Sequence, residues 1–265
     1  MKKILLPSIL AVWMLVLGFT GIKQMLLDTK VKAVYSDRLN QIYTVGKDNS
    51  IHKFDNNGKL VISRNLKIQG DIAHIDAKNV FDMLLFYKNI NTLVTTDNLF
   101  NQRHTLNFND NRYLSNKQVT AVARSFDNHI WAFDMVSQRL MKIDILGNLI
   151  LESSALPTQS STHQIQQIIE NVPYVYLVDS TSIVTMNVYG KMIKELNSNQ
   201  PINQAQLFKD TLWLESESHR MFLNTKKTTD SIQMLDQKPA NTSFQYLGNG
   251  KLELRNDSLF LHQEK

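Results

Sequence analysis

The chain has 265 residues, of which 43% are hydrophobic, 20% charged and 9% aromatic, a balance that buries a sizeable core and excludes wholesale disorder. Cysteine is absent, which excludes disulfides, thiolate metal sites, a cysteine nucleophile and a lipid-modified cysteine. The formal net charge of +5 falls to +3 once Lys2 and Lys3 are set aside, and the basic residues are scattered singly, so no nucleic-acid partner is expected.

Lys2 and Lys3 precede an apolar run over residues 4–22, broken by Pro7, Ser8, Gly18, Thr20 and Gly21, which is the pattern of an export signal. Residues 1–21 are expected to be a signal peptide or a signal anchor. Cleavage after Gly21 would place bulky Phe19 three residues back, and cleavage after Gly18 places Val16 there. Left uncut, the run of 19 residues would span about 28 Å at about 1.5 Å each, close to the hydrocarbon thickness of a bilayer. The body, residues 22–265, is expected in the periplasm or cell envelope, touching a membrane only if this segment is retained.

The body repeats with a period near 40 residues, the signature of a solenoid or propeller. Opening strands begin near Val31, Ile72, Val119, Ile165, Ile202 and Thr242, at spacings of 41, 47, 46, 37 and 40. Second strands read IYTV, MLLFY, IWAFD, VYLVD, LWLES and KLELR, and third strands SIHKFD, TLVTTD, RLMKID, IVTMNV, RMFLNT and SLFLHQ. The third runs into a turn that starts with Asp or Asn and ends with Gly at 55–58, 144–147 and 187–190, after which a fourth short strand begins. Four strands per repeat predict an all-β single β-propeller of six four-stranded blades. No window shows sustained helical spacing, beyond one turn expected near residues 161–166. The last repeat ends after its third strand, while residues 22–28 (IKQMLLD) form an unassigned apolar heptad before the first. That heptad is expected to close the ring as the outer strand of the last blade, removing the exposed edges of an open sheet.

The block from DIAHIDAKNVFDMLLFYKNINTLVTTDNLF through LSNKQVTAVARSFDNHIWAFDMVSQRLMKIDILGNLILES resembles a family of exported bacterial propeller proteins. More loosely, the repeats are similar to NHL and PQQ-like propellers, which include binding platforms, assembly factors and enzymes. The resemblance implies a fold and a compartment, and carries no functional residues with it.

Tyr43, Trp131, Tyr176 and Trp213 recur at one phase of the second strand, which suits packing between neighbouring blades better than stacking of a ligand. The seven histidines stand apart and out of phase, so neither a metal site nor any cofactor is expected. Asp55-Asn56-Asn57-Gly58 lacks the alternating ligands and distal Glu of a calcium loop and reads as a turn, as does Arg124-Ser125-Phe126-Asp127. Serine-elbow, P-loop and dinucleotide motifs are all missing.

In such a ring, the loops between second and third strands share one face with the connections between blades, and ligands usually bind there. These loops bring Lys47, Asp48, Asp134, Asp179, Glu215, Glu217, His219 and Arg220 to a polar, rather acidic face, the expected binding surface. The leading expectation is an exported, non-catalytic protein-binding or scaffold module of the cell envelope. The rival is a hydrolase or lyase acting on saccharide or peptide at the axis, which would need two or more acid–base groups converging on one substrate atom.

Overall fold

The computed structural model describes residues 22–25, 30–66, 70–157, 163–226, 231–248 and 250–263. The chain enters with a short strand, β1 (Ile22–Met25). Blade 1 follows as β2 (Val31–Ser36), β3 (Ile42–Gly46), β4 (Ser50–Phe54) and β5 (Leu60–Asn65). Blade 2 is β6 (His74–Asp76), β7 (Met83–Tyr87), β8 (Thr92–Thr96) and β9 (Gln102–Asn107), with a 3-10 turn over Lys88–Ile90. Blade 3 is β10 (Val119–Arg124), β11 (Ile130–Asp134), β12 (Arg139–Ile143) and β13 (Leu149–Glu152). Blade 4 is β14 (Gln167–Asn171), β15 (Tyr174–Val178), β16 (Ser182–Asn187) and β17 (Met192–Asn197). Blade 5 is β18 (Gln204–Phe208), β19 (Thr211–Glu215), β20 (His219–Asn224) and β21 (Gln233–Gln237). Blade 6 takes β22 (Thr242–Leu247), β23 (Gly250–Arg255) and β24 (Ser258–Gln263) from the end of the chain and β1 from its beginning.

The protein is therefore a six-bladed, all-β propeller with four antiparallel strands per blade, closed as the sequence predicts by an N-terminal strand. The closure strand pairs Ile22 with His262 and Met25 with Leu259. Residues 26–28 of the predicted heptad, like the signal or anchor segment at 1–21, lie outside the described residues. The helical turn is found at Lys88–Ile90, and the one expected near 161–166 falls partly outside the described residues.

Burial follows from position in the ring. The second and third strands lie between the faces of neighbouring blades and are buried on both sides, as in Ile130–Asp134 and Met83–Tyr87. Outer strands such as Leu60–Asn65 face solvent and tolerate Arg and Ser. The core is accordingly a series of packets between blades: Trp131, Phe133 and Leu140 of blade 3 pack on Ile168, Leu177, Val184 and Met186 of blade 4. Met25 joins Ile42, Phe54, Leu247, Leu252, Leu259 and Leu261 in the packet between blades 6 and 1. The recurrent aromatics behave as the sequence suggests: Tyr43, Trp131 and Tyr176 are buried, and Trp213 stacks on the Tyr246 ring of the next blade at 4.6 Å.

The turns carry their own chemistry. Asp55 Oδ1 accepts from the Asn57 and Lys59 backbone N–H at 2.9 and 2.8 Å, Asp144 Oδ1 from Leu146 and Asn148 at 2.9 and 2.8 Å, and Asn187 Oδ1 from Tyr189 and Lys191 at 3.0 and 2.9 Å. At the fourth position Gly58, Gly147 and Gly190 adopt φ of 72°, 84° and 80°, the left-handed region that a side chain would strain.

Candidate functional site

The innermost strands surround an axial channel of about 1520 Å³ to which all six blades contribute. Its lower face is formed by the hairpins joining first to second and third to fourth strands. Its upper face is formed by the loops joining second to third strands and by the connections between blades.

Three carboxylates lie along the channel, and each has its own structural bonds. Asp37 accepts from Tyr43 Oη at 2.8 Å and from the Leu39 and Gln41 N–H at 2.8 and 2.9 Å. Asp76 accepts from the Lys78 N–H at 2.9 Å and from the Arg124 N–H of the next blade at 2.8 Å. Glu170 of blade 4 takes Ser125 Oγ at 2.9 Å, the Phe126 N–H at 2.6 Å and Trp131 Nε1 at 2.8 Å, all from blade 3. His74 meets the Tyr35 ring edge-on at 5.3 Å, and burial pushes its imidazole below the ordinary value and the Tyr35 phenol up to about 12. Among the described residues no group of three or more His, Asp or Glu is placed to hold a metal ion.

Side-chain amides form a second pattern. Gln167 donates to the Ala205 carbonyl at 2.9 Å and accepts from its N–H at 3.3 Å, and Gln206 does the same to Tyr246 at 2.7 Å each way. These clamps tie the inner strand of blade 4 to that of blade 5, and that of blade 5 to that of blade 6. Four further amides, Gln164, Gln166, Asn203 and Gln204, line the upper end of the channel and make no side-chain hydrogen bond within the described residues. They cluster where blades 4 and 5 begin.

The sequence-predicted site residues lie on the upper face around this mouth, in three roles. Asp134 and Glu215 end the second strands of blades 3 and 5, Asp179 immediately follows that of blade 4, and all three are buried. Asp134 accepts from the Gln118 N–H at 2.8 Å, Asp179 from the Gln164 N–H at 2.9 Å and Glu215 from the Phe244 N–H at 3.0 Å. Asp134 and Asp179 thus hold the backbone as it approaches the innermost strands of their own blades, Glu215 holds the innermost strand of the next blade, and Asp179 directly positions one of the four free amides. Asp48 caps its own turn through the Ser50 N–H and Oγ at 3.1 and 2.6 Å. His219 Nδ1 shares a hydrogen bond with Ser218 Oγ at 2.8 Å, and Arg220 forks onto Asp236 with Nε to Oδ1 at 2.7 Å. Lys47 and Glu217 are exposed. The structure brings these residues to one face and not to one point. The free amides escaped the sequence reading, although the segments IQQIIEN and INQAQLFKD show them as runs of Gln and Asn at the start of inner strands.

Glu215 gives a pH signature. Burial pushes its carboxyl above the ordinary value of 4.5, against the opposing pull of Lys238 at 3.5 Å. A raised carboxyl means that the folded state binds the proton more tightly than the unfolded chain. Its contribution is therefore full below pH 4.5 and is lost as pH rises through the folded-state value. Glu215→Gln should flatten the stability profile over that window in urea titrations taken at several pH values. An unchanged slope would show that Glu215 does not titrate with folding.

Sequence comparison finds no matching protein-family model and no matching characterised protein. Comparison of the fold finds many propellers. The structure is similar to a streptogramin B lyase, with a TM-score of 0.64 at 13% identity over 92% of this chain and 87% of that one. It is similar to the Cps50 (Swd1) propeller domain of Myceliophthora thermophila, with a TM-score of 0.63 at 8% identity over 92% and 100% of the two chains. A catalytically inactive virginiamycin B lyase of Staphylococcus aureus with quinupristin gives a TM-score of 0.62 at 11% identity over 92% and 99%. At such identities the likeness establishes the propeller fold alone.

Proposed function

We propose that the chain is an exported, non-catalytic binding platform of the cell envelope whose partner is a protein that places a polar peptide segment in the upper mouth of the channel. The observation that carries this reading is the pairing of four free amides with a channel whose carboxylates are already committed to turns and blade seams. An amide offers one acceptor and two donors, which suits an extended backbone, and it needs no charge on the partner. Lys47, Asp48, His219 and Arg220 are proposed as rim contacts, with Asp134, Asp179 and Glu215 holding the mouth from behind.

A second reading, a lyase or hydrolase acting at the axis, draws on the likeness to streptogramin B lyase. It requires acid–base groups that share a substrate atom, whereas Asp37, Asp76 and Glu170 are tied down separately. The binding reading is therefore preferred.

The test is a photo-reactive benzoylphenylalanine in place of Gln166 in whole cells, with the same residue in place of exposed Lys59 on the outer rim as control. One envelope protein should be captured from Gln166 and not from Lys59. Equal capture at both positions, or none at Gln166, would overturn the proposal.

A further inference from the structure

The closure strand shows which way the ring is turned. β1 is the outermost strand of blade 6, with Ile22 opposite His262 and Met25 opposite Leu259. His262 and Gln263 face Lys251 and Gly250, next to the hairpin that joins β22 and β23. The chain therefore comes into β1 on the lower face. Residues 4–22, immediately before and at this point, are the apolar run long enough to cross a bilayer, headed by Lys2 and Lys3.

The same face gathers exposed apolar side chains. Leu39, Phe81, Phe126 and Val172 stand at the first hairpins of four consecutive blades with 59%, 66%, 62% and 53% of their surface exposed. Leu146 and Tyr189 do so at the second hairpins of blades 3 and 4, with 66% and 80% exposed. A hairpin that needed only solubility would carry polar residues at its tip, and exposed apolar groups repeated around one rim mark a surface that is covered in use. The carboxylates of these hairpins are committed: Asp37 and Asp144 each accept two backbone N–H groups of their own turn, and Asp82 and Asp127 pair with Arg124 and Lys142 at 2.8 and 2.7 Å. Arg38 and Lys209 are exposed beside the apolar tips.

We propose that the lower face rests on a lipid bilayer, tethered by the apolar run that precedes β1, with Leu39, Phe81, Phe126 and Val172 entering the headgroup layer. The proposal rests on the export signal and its retention, and on no property of the protein partner. An anchor that starts on this face brings the rim to the membrane at high effective concentration, so contacts too weak to bind alone hold the ring flat. Arg38 and Lys209 are placed to meet lipid phosphates. The upper mouth, with Gln164, Gln166, Asn203 and Gln204, then opens away from the membrane.

Because the chain has no cysteine, single labelling sites can be introduced cleanly. The full chain would be reconstituted into vesicles of phosphatidylethanolamine and phosphatidylglycerol containing nitroxide-labelled lipid. A fluorophore would be attached at Phe81→Cys, at Phe126→Cys or, on the upper face, at Val136→Cys, whose native side chain is also exposed, at 67%. The labels at 81 and 126 should lose most of their emission to the lipid nitroxide while the label at 136 keeps its own. Equal quenching on both faces, or none at 81 and 126, overturns the proposal, as does energy transfer between copies at 81 or 126 without lipid quenching, which would assign the rim to a second copy. A mature N-terminus lying beyond residue 21 in cells overturns it as well. None of these readings depends on whether Gln166 captures a partner.

Discussion

Deletion of residues 22–25 should lower the melting temperature by roughly 10 °C or more and promote association of the protein through β24. Met25 is only 3% exposed and fills the packet between blades 6 and 1, and loss of a buried methionine costs about 2–5 kcal/mol. The ladder between Ile22–Met25 and β24 adds about 1 kcal/mol net per hydrogen bond. A domain of this size shifts by about 2–4 °C per kcal/mol, so the two terms together account for the expected drop. The freed edge of β24 would present unpaired N–H and C=O groups to another chain. Thermal unfolding followed by circular dichroism, with light scattering for association, reads both effects. A melting temperature unchanged within error would show that the ring holds without its closure strand.

Glu170→Ala should destabilise the protein by about 3 kcal/mol or more, because it strands two buried donors and one partly buried donor at once. Ser125 Oγ, the Phe126 N–H and Trp131 Nε1 all point at this one carboxylate across the seam between blades 3 and 4, and Trp131 is fully buried. Glu170→Gln retains an acceptor oxygen and should recover a good part of the loss. Chemical denaturation of the two variants checks this ordering. If they are equally destabilised, neither the conserved side-chain volume nor the one retained oxygen matters, and the seam depends on the charged carboxylate itself.

The sequence carries the architecture through turn chemistry and repeat spacing more faithfully than through strand beginnings. Asp55, Asp144 and Asn187 each announce a turn that the structure builds through the predicted side-chain acceptor and terminal Gly. By contrast, Ile72, Ile165 and Ile202 read as strand starts, yet the ladders begin two residues later, at His74, Gln167 and Gln204. Those isoleucines are 2%, 0% and 2% exposed. Apolar character reports burial between blades, and a connecting segment wedged into that space is as apolar as a strand. The face was legible for the same reason as the blades, since loop position follows from strand order. The working groups were less so. Asp134, Asp179 and Glu215 stand out by charge, but each commits an oxygen to a backbone N–H group, and nothing in a linear pattern shows where a carboxylate's hydrogen bonds go. Gln164, Gln166, Asn203 and Gln204 look unremarkable until the channel shows that they have no partner among the described residues.

The pairing of Ile22 with His262 also sets the order of events in folding. Within blades 1 to 5, neighbouring strands meet across short hairpins, so each sheet forms from local contacts soon after its residues are available. β1 has no local partner, and its hydrogen bonds wait for a strand nearly the whole length of the chain away. The entropy of closing that loop is met in the final step, when blade 6 takes up β1 and docks on blade 1. Until then the ring is an open crescent with Met25, Phe54 and Leu261 uncovered at its two ends. Blade formation is therefore expected to be fast and sequential and ring closure slow and single, with the open crescent the species most exposed to misassociation.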